Sequence, residues 1–275
     1  MTTYMFPGQD SQTKGMGQDL FAHFPTEVNQ ANEILGYSVE ELCVNDSKQQ
    51  LNNTQYTQPA LYVVEALSFL LNYKNANPDY CIGHSLGEYG ALFAAGWFDF
   101  PTGLKLVKKR GELMAQASGG GMLAVLNLPP DRINTLLQAN QINSIDFANF
   151  NSSKQVVLSG PAADIAKANE ILSQEAMLCL PLKVTGAFHS RYMQAAANEF
   201  EQFLNQFKFT APHTKVIANV SVQPYTDEKI KEYLVTQMIK PVRWAEIIHY
   251  LKSQGESEFI DIGPGNVLTR LLAQN

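Results

Sequence analysis

An α/β fold built in two interleaved parts is what this chain predicts, and three features carry the prediction. The run Gly83-His84-Ser85-Leu86-Gly87 stands between the apolar stretch Tyr80-Cys81-Ile82 and the small-residue stretch over residues 90–95, as a strand turning sharply into a helix requires. From residue 122 to 181 the pattern reads strand, helix, strand, strand, helix, strand. Beyond residue 189 helices and strands alternate again.

Taken in order, Tyr4-Met5-Phe6 is a short apolar run closed by Pro7-Gly8, a buried strand. Gln58-Pro59 opens a helix over 60–71, with Pro59 in the first turn, where an N–H is dispensable. The strand ending at the serine turn follows. Residues 102–114 form another helical window, with Leu104, Val107 and Leu113 apolar and lysines between, running into the glycine boundary Gly119-Gly120-Gly121. Strands over 122–126, 144–148, 155–159 and 177–181 then alternate with helices over 131–138 and 162–173. That βαββαβ order matches a ferredoxin-like unit. A helix over 192–207, a strand over 216–219, helices around 227–237 and 244–253 and a strand over 259–262 complete the chain. The expected organisation is a large α/β-hydrolase-like subdomain in two stretches, 1–121 and 189–275, with a small ferredoxin-like subdomain inserted at 122–188.

Composition narrows the function. With 275 residues, 45% hydrophobic and 17% charged, the chain can bury a substantial core. Its net charge of -6 comes without basic runs, which argues against nucleic-acid binding. Three cysteines, Cys43, Cys81 and Cys179, fit neither a disulfide framework nor a metal site, so a reducing cytoplasmic setting is expected. The N-terminal residues show no basic region followed by an apolar stretch, and no window approaches the ~18 apolar residues of a membrane span. Neither secretion nor membrane insertion is expected.

The chemistry is predicted to centre on Ser85. In a G-x-S-x-G turn, side chains at Gly83 and Gly87 would strike neighbouring backbone, and the strained serine lifts its Oγ clear of the chain. The Leu86 N–H then lies at a helix N-terminus, suited to an oxyanion. A serine nucleophile needs a base. His84 is expected to point away from Ser85, and His23, His213 and His249 sit among ordinary polar and aromatic residues. His189, in Thr185-Gly186-Ala187-Phe188-His189-Ser190, falls at an element boundary, with no carboxylate nearby to orient it. A backbone or amide oxygen could hold the ring instead.

At this point the chain resembles the malonyl-CoA:acyl carrier protein transacylases and the acyltransferases of polyketide synthases. The resemblance rests on Phe6-Pro7-Gly8-Gln9, Thr57-Gln58-Pro59-Ala60, the run from Gly83 to Tyr89, Arg110-Gly111-Glu112-Leu113-Met114, Asn149-Phe150-Asn151, Gly186 to Ser190, Pro241-Val242-Arg243-Trp244 and Gly263-Pro264-Gly265. Its length and the run Val107 to Met114 are most similar to the discrete, trans-acting members.

The resemblance implies a ping-pong transfer in which malonyl-CoA acylates Ser85 and the acyl group passes to the phosphopantetheine thiol of an acyl carrier protein, with His189 as base. It implies an oxyanion hole from the N–H groups of Gln9 and Leu86, and Gln237 near the imidazole. Arg110 would grip the malonyl carboxylate through two parallel donors. Phe188 would crowd an α-methyl, making methylmalonyl a poor substrate. No cofactor, no metal and a monomer are the family's defaults. One departure stands out: Gly8-Gln9-Asp10-Ser11-Gln12 carries Asp10 where the family usually has glycine. Two other readings compete: an acyl hydrolase that clears carrier proteins, for which Arg110 has no use, and a catalytically silent docking module, which the joint presence of Ser85 and His189 opposes.

Overall fold

The computed structural model describes residues 1–212 and 214–275, so the expectation for His213 lies outside the described residues. Strand β1 (Thr2–Phe6) is followed by helices α1 (Gln18–Phe21), α2 (Pro25–Leu35), α3 (Val39–Val44) and α4 (Thr54–Asn72). Next come β2 (Tyr80–Gly83), α5 (Gly87–Ala95) and α6 (Phe100–Ala115). A second group holds β3 (Gly120–Leu126), α7 (Pro130–Ala139), β4 (Asp146–Ser152), β5 (Gln155–Pro161), α8 (Ala162–Leu172) and β6 (Leu178–Pro181). The remainder is a 3₁₀ turn (Arg191–Met193), α9 (Gln194–Leu204), β7 (Lys215–Ile217), α10 (Ile230–Thr236), α11 (Trp244–Ser253), β8 (Glu258–Asp261) and α12 (Val267–Leu272).

Two sheets result. The first is parallel, in the order β7-β2-β1-β8. Its central strands are apolar on both faces because both are covered. Tyr4, Phe6 and Cys81 pack into the core shared with α4, α5 and α6, whereas Met5, Tyr80 and Ile82 pack with Trp244, Ile247, Ile248 and Leu251 of α11. The second sheet is antiparallel, in the order β4-β5-β3-β6. Leu123, Val125, Val156 and Leu158 bury one face against Ile133 and Leu137 of α7 and Ile165 and Leu172 of α8. Met122, Ala124 and Val157 turn the other way, into the core of the first group. A short main-chain link joins the two sheets: the Val242 N–H donates to Ala148 O, and the Phe150 N–H to Val242 O, each at 2.9 Å.

Helix α4 begins at Thr54, six residues before the expected start, and Pro59 lies inside it. Asn53 caps this earlier end by accepting the Gln55 N–H at 3.2 Å. The Thr57 hydroxyl donates to Leu51 O at 2.6 Å, tying the first turns to the preceding loop. One hydrogen bond lost at the proline is therefore not enough to end the helix. Strand β4 runs on to Ser152, past its expected end at 148, because irregular register at Phe147/Asn149 and Phe150/Ser152 breaks the alternation that marks a strand in sequence. Helices α1 to α3 and α12 had no counterpart in the sequence reading; all are short except α2, whose apolar stripe is only Val28, Ala31 and Leu35.

Candidate active site

The carboxyl ends of β1, β2 and β7 lie side by side, and the chain leaves each of them into one cleft. Ligands in open α/β sheets collect at such an edge. From β1 comes the loop with Gln9, from β2 the turn with Ser85, and just beyond β7 comes Asn219. The cleft is lined by Gln9, Ser85, Leu86, Arg110, Phe188 and His189, together with Gln58, Met114, Met122 and Asn149.

Ser85 sits at φ 54°, in the left-handed region, directly before α5. The two flanking glycines are required by close approach. A Cβ at Gly83 would stand 2.0 Å from Gly87 C, and one at Gly87 would stand 1.9 Å from Phe6 O. Asn219 fixes the turn from outside: its Oδ1 accepts the Ser85 N–H at 2.8 Å and its Nδ2 donates to Gly83 O at 2.7 Å. Neither the Gln9 nor the Leu86 N–H donates to an acceptor among the described residues, so both remain free to face a ligand oxygen.

His189, buried and also at positive φ, brings Nε2 to 2.7 Å from Ser85 Oγ. Its Nδ1 donates to the main-chain oxygen of Gln237 at 2.7 Å. That bond places the proton on Nδ1 and leaves Nε2 to accept from the serine hydroxyl. Burial and the nearby Arg110 guanidinium pull the imidazole pKa down to about 3, against the opposing pull of Gln237 O. The resting ring is neutral.

Arg110, on α6, is fully buried although Lys108 and Lys109 precede it. Its Nη1 donates to Gln58 Oε1 at 2.7 Å; its Nη2 donates to Gln237 Oε1 at 2.9 Å and to Ser85 Oγ at 3.2 Å. The guanidinium lies over the Tyr89 ring at 5.7 Å. Gln237 thus serves two partners with different atoms, its main-chain oxygen holding His189 and its side chain holding Arg110. Phe188 is buried in the cleft wall beside His189. His84 turns to Asn151, with Nε2 to Oδ1 at 2.8 Å, and packs on Trp244 at 5.5 Å between rings. His23 and His249 are exposed, and neither lines the cleft. Asp10 takes φ 80° at the rim, its N–H donating to Gln12 Oε1 at 2.8 Å, and protein crowding on one side raises its carboxyl pKa. Aspartate tolerates this left-handed backbone better than most residues.

A serine, a histidine, a guanidinium and two free N–H groups therefore share one cleft. Residues 3–275 match the acyl transferase domain family. This chain belongs to that family. It is 50% identical over 276 residues to the polyketide biosynthesis malonyl CoA-acyl carrier protein transacylase PksC of Bacillus subtilis, covering 99% of this chain and 96% of PksC. It is 49% identical to the polyketide biosynthesis protein PksE of the same organism, where 99% of this chain spans 36% of the longer relative. Among solved structures, the malonyl CoA-acyl carrier protein transacylase of Burkholderia pseudomallei superposes with a TM-score of 0.96 at 45% identity, covering 100% of this chain and 97% of that one. A malonyl-transacylase solved in complex with a type II polyketide synthase acyl-carrier protein superposes at 0.93 with 33% identity, over 99% and 92% of the two chains.

Three residues that line or support this acyltransferase cleft have no role assigned from the sequence: Gln58 in its wall, and Glu88 and Asn219 beneath it. Glu88 had a signal, being one helical turn past the serine and hence on the inward side of the first turn of α5. Asn219 had none, since nothing in its neighbourhood tells which strand ends beside it. Among the described residues no cluster of three or more His, Cys, Asp or Glu could hold a metal, and no helix is long and apolar enough to cross a membrane.

Proposed function

We propose that this chain moves malonyl from malonyl-CoA, through an ester on Ser85, to the phosphopantetheine thiol of an acyl carrier protein. The observation that carries this reading is the fully buried Arg110, whose Nη2 stands 3.2 Å from the Ser85 hydroxyl. A guanidinium at that depth is costly to bury, and an enzyme for uncharged acyl chains has no use for it. A dicarboxylic half-ester bound to Ser85 places a carboxylate within its reach. The names of PksC and of the solved relatives support the same donor and acceptor.

In this mechanism His189 Nε2 takes the Ser85 proton as Oγ bonds to the thioester carbon. The oxyanion forms against the N–H groups of Gln9 and Leu86. Collapse breaks the C–S bond, and His189 returns the proton to the departing CoA sulfur. The carrier thiol then gives its proton to His189 and its sulfur bonds to the ester carbon; collapse breaks the bond to Ser85 Oγ, and His189 returns the proton to Oγ, restoring Ser85. Thioester, ester and thioester lie close in free energy, so the site needs activation and charge stabilisation but no resident cofactor. Gln237 holds the imidazole through its main-chain oxygen, Arg110 grips the free carboxylate, and Phe188 excludes an α-methyl.

The same reading takes residues 122–188 as a ferredoxin-like subdomain inserted in an α/β-hydrolase-like one, supported by the βαββαβ order and the strand order 2-3-1-4 within that sheet. It takes the protein as a cytoplasmic monomer acting in trans, as its likeness to PksC suggests. Incubation with malonyl-CoA, followed by intact-mass measurement and peptide mapping, tests it. A malonyl adduct on the Ser85 peptide, lost in Ser85→Ala, is expected; preferential labelling by acetyl-CoA overturns the substrate assignment.

A further inference from the structure

Beneath the cleft lies a buried carboxyl that the mechanism above does not use. Glu88 is fully buried on the first turn of α5. Its Oε1 accepts the Asn219 N–H at 2.6 Å and its Oε2 accepts from Gln237 Nε2 in a short contact. Both oxygens receive N–H donors, the pattern of a carboxylate rather than an acid. The Gln237 amide is oriented by its two ends: Oε1 accepts from Arg110, and Nε2 donates to Glu88 and to Ser85 O. A reversed amide would set its NH₂ against the guanidinium. The row therefore runs from cation through amide to anion. Arg110 makes no direct ion pair among the described residues.

We propose that Glu88 is the resting counter-charge of Arg110, coupled to it through Gln237, and that a donor bearing its own carboxylate takes over this pairing, so that such donors bind with uptake of a proton at Glu88. The inference rests on the malonyl reading of the site. Its charge balance is simple: where Glu88 is ionised, an unoccupied site holds one cation and one anion, a malonyl-occupied site would hold one cation and two anions, and a proton from bulk water restores neutrality. Separating buried charge from its partner is expensive, which favours the uptake. The groups facing Glu88 are Arg110 from α6, Tyr89 from α5 and Tyr225 from the loop before α10, with His189 across Gln237. Burial lifts the Glu88 pKa to about 8, although Asn219, Gln237, Tyr225 and Arg110 pull it back, so the resting pair carries its full charge above that pH and the uptake is read across it.

Glu88 is thus a positioning residue whose charge favours one substrate class, and donor competition reads it. Loading of Ser85 by malonyl-CoA and by acetyl-CoA is measured across about pH 7 to 9, and the ratio cancels effects of His189 and of the CoA thiol. The malonyl-to-acetyl ratio is expected to fall about tenfold over that range in the native protein and to stay within about twofold in Glu88→Gln. A flat ratio in the native protein, or an unchanged fall in Glu88→Gln, overturns the proposal. Should Glu88→Gln not fold, calorimetric titration of Ser85→Ala at about pH 8, in buffers of different ionisation enthalpy, decides. Extra proton uptake with malonyl-CoA over acetyl-CoA supports Glu88 as counter-charge; equal uptake overturns it. If malonyl-CoA does not acylate Ser85, the functional reading itself fails and this inference falls with it.

Discussion

Replacing Arg110 with alanine separates recognition of the malonyl carboxylate from general acyl transfer. The guanidinium is fully buried and donates three hydrogen bonds, at 2.7 Å to Gln58, 2.9 Å to Gln237 and 3.2 Å to Ser85 Oγ. Alanine leaves the Gln58 and Gln237 side-chain oxygens without that donor, at a cost of about 1–3 kcal/mol each to the fold. That cost is common to every substrate. A malonyl donor also loses its charge partner in a site shielded from water, and breaking such a pair costs about 3–5 kcal/mol. At about 1.4 kcal/mol per decade, kcat/KM for malonyl-CoA should fall by roughly 10² to several times 10³. Acetyl-CoA has no carboxylate to lose, and its loading should change by about tenfold or less. Rapid-quench acylation with both donors, on protein checked for native circular dichroism, measures the difference. Equal losses for the two donors would refute a carboxylate-binding role and leave Arg110 a structural residue.

Two further outcomes follow from buried titratable groups. His189 is held down to about 3 by burial and Arg110, and the proposed mechanism uses it as base in its neutral form. Because the ring stays neutral above that value, kcat/KM for acetyl-CoA should remain flat as pH falls from about 8 to 5; a half-loss near the ordinary imidazole value of about 6.5 contradicts this assignment. Glu65 on α4 is fully buried, has no hydrogen-bond partner at either oxygen among the described residues, and is raised well above the usual carboxylate range by burial and by Asp261. It is therefore neutral when folded but ionises in the unfolded chain above about pH 4.3. Its contribution is complete below that pH and is lost as pH rises towards the folded pKa. In urea unfolding, Glu65→Gln should gain on the native sequence by about 1 kcal/mol per unit between about pH 5 and 7; parallel profiles contradict it.

The serine turn was legible because its constraints are local: the glycines answer to backbone a few residues away, and the strand and helix on either side declare themselves by composition. The order of elements over residues 122–181 was legible for a similar reason, since short amphipathic units alternate there with clear breaks. His189 could be singled out by its place at an element boundary, and the resemblance then gave Arg110 and Gln237 their roles. What escaped was whatever depends on two distant segments meeting. Asn219 lies 134 residues from the N–H it fixes, and Glu88 lies 149 residues from Gln237. The start of α4 escaped because Pro59 reads as an opening signal, whereas the cap at Asn53 and the Thr57 hydroxyl already hold the earlier turns. Resemblance placed Gln237 beside the imidazole, but the division of labour between its main chain and side chain appears only in three dimensions.

Discharge of the acylated protein is the measurement that bears most directly on the transfer. Malonyl-Ser85 protein, freed of CoA, is divided between buffer alone and buffer with a carrier protein bearing its phosphopantetheine arm, and both partners are weighed over time. Malonyl should appear on the carrier thiol while the ester in buffer alone survives many turnovers. Loss of malonyl to water at the same rate with and without carrier would contradict transfer and make the protein a hydrolase.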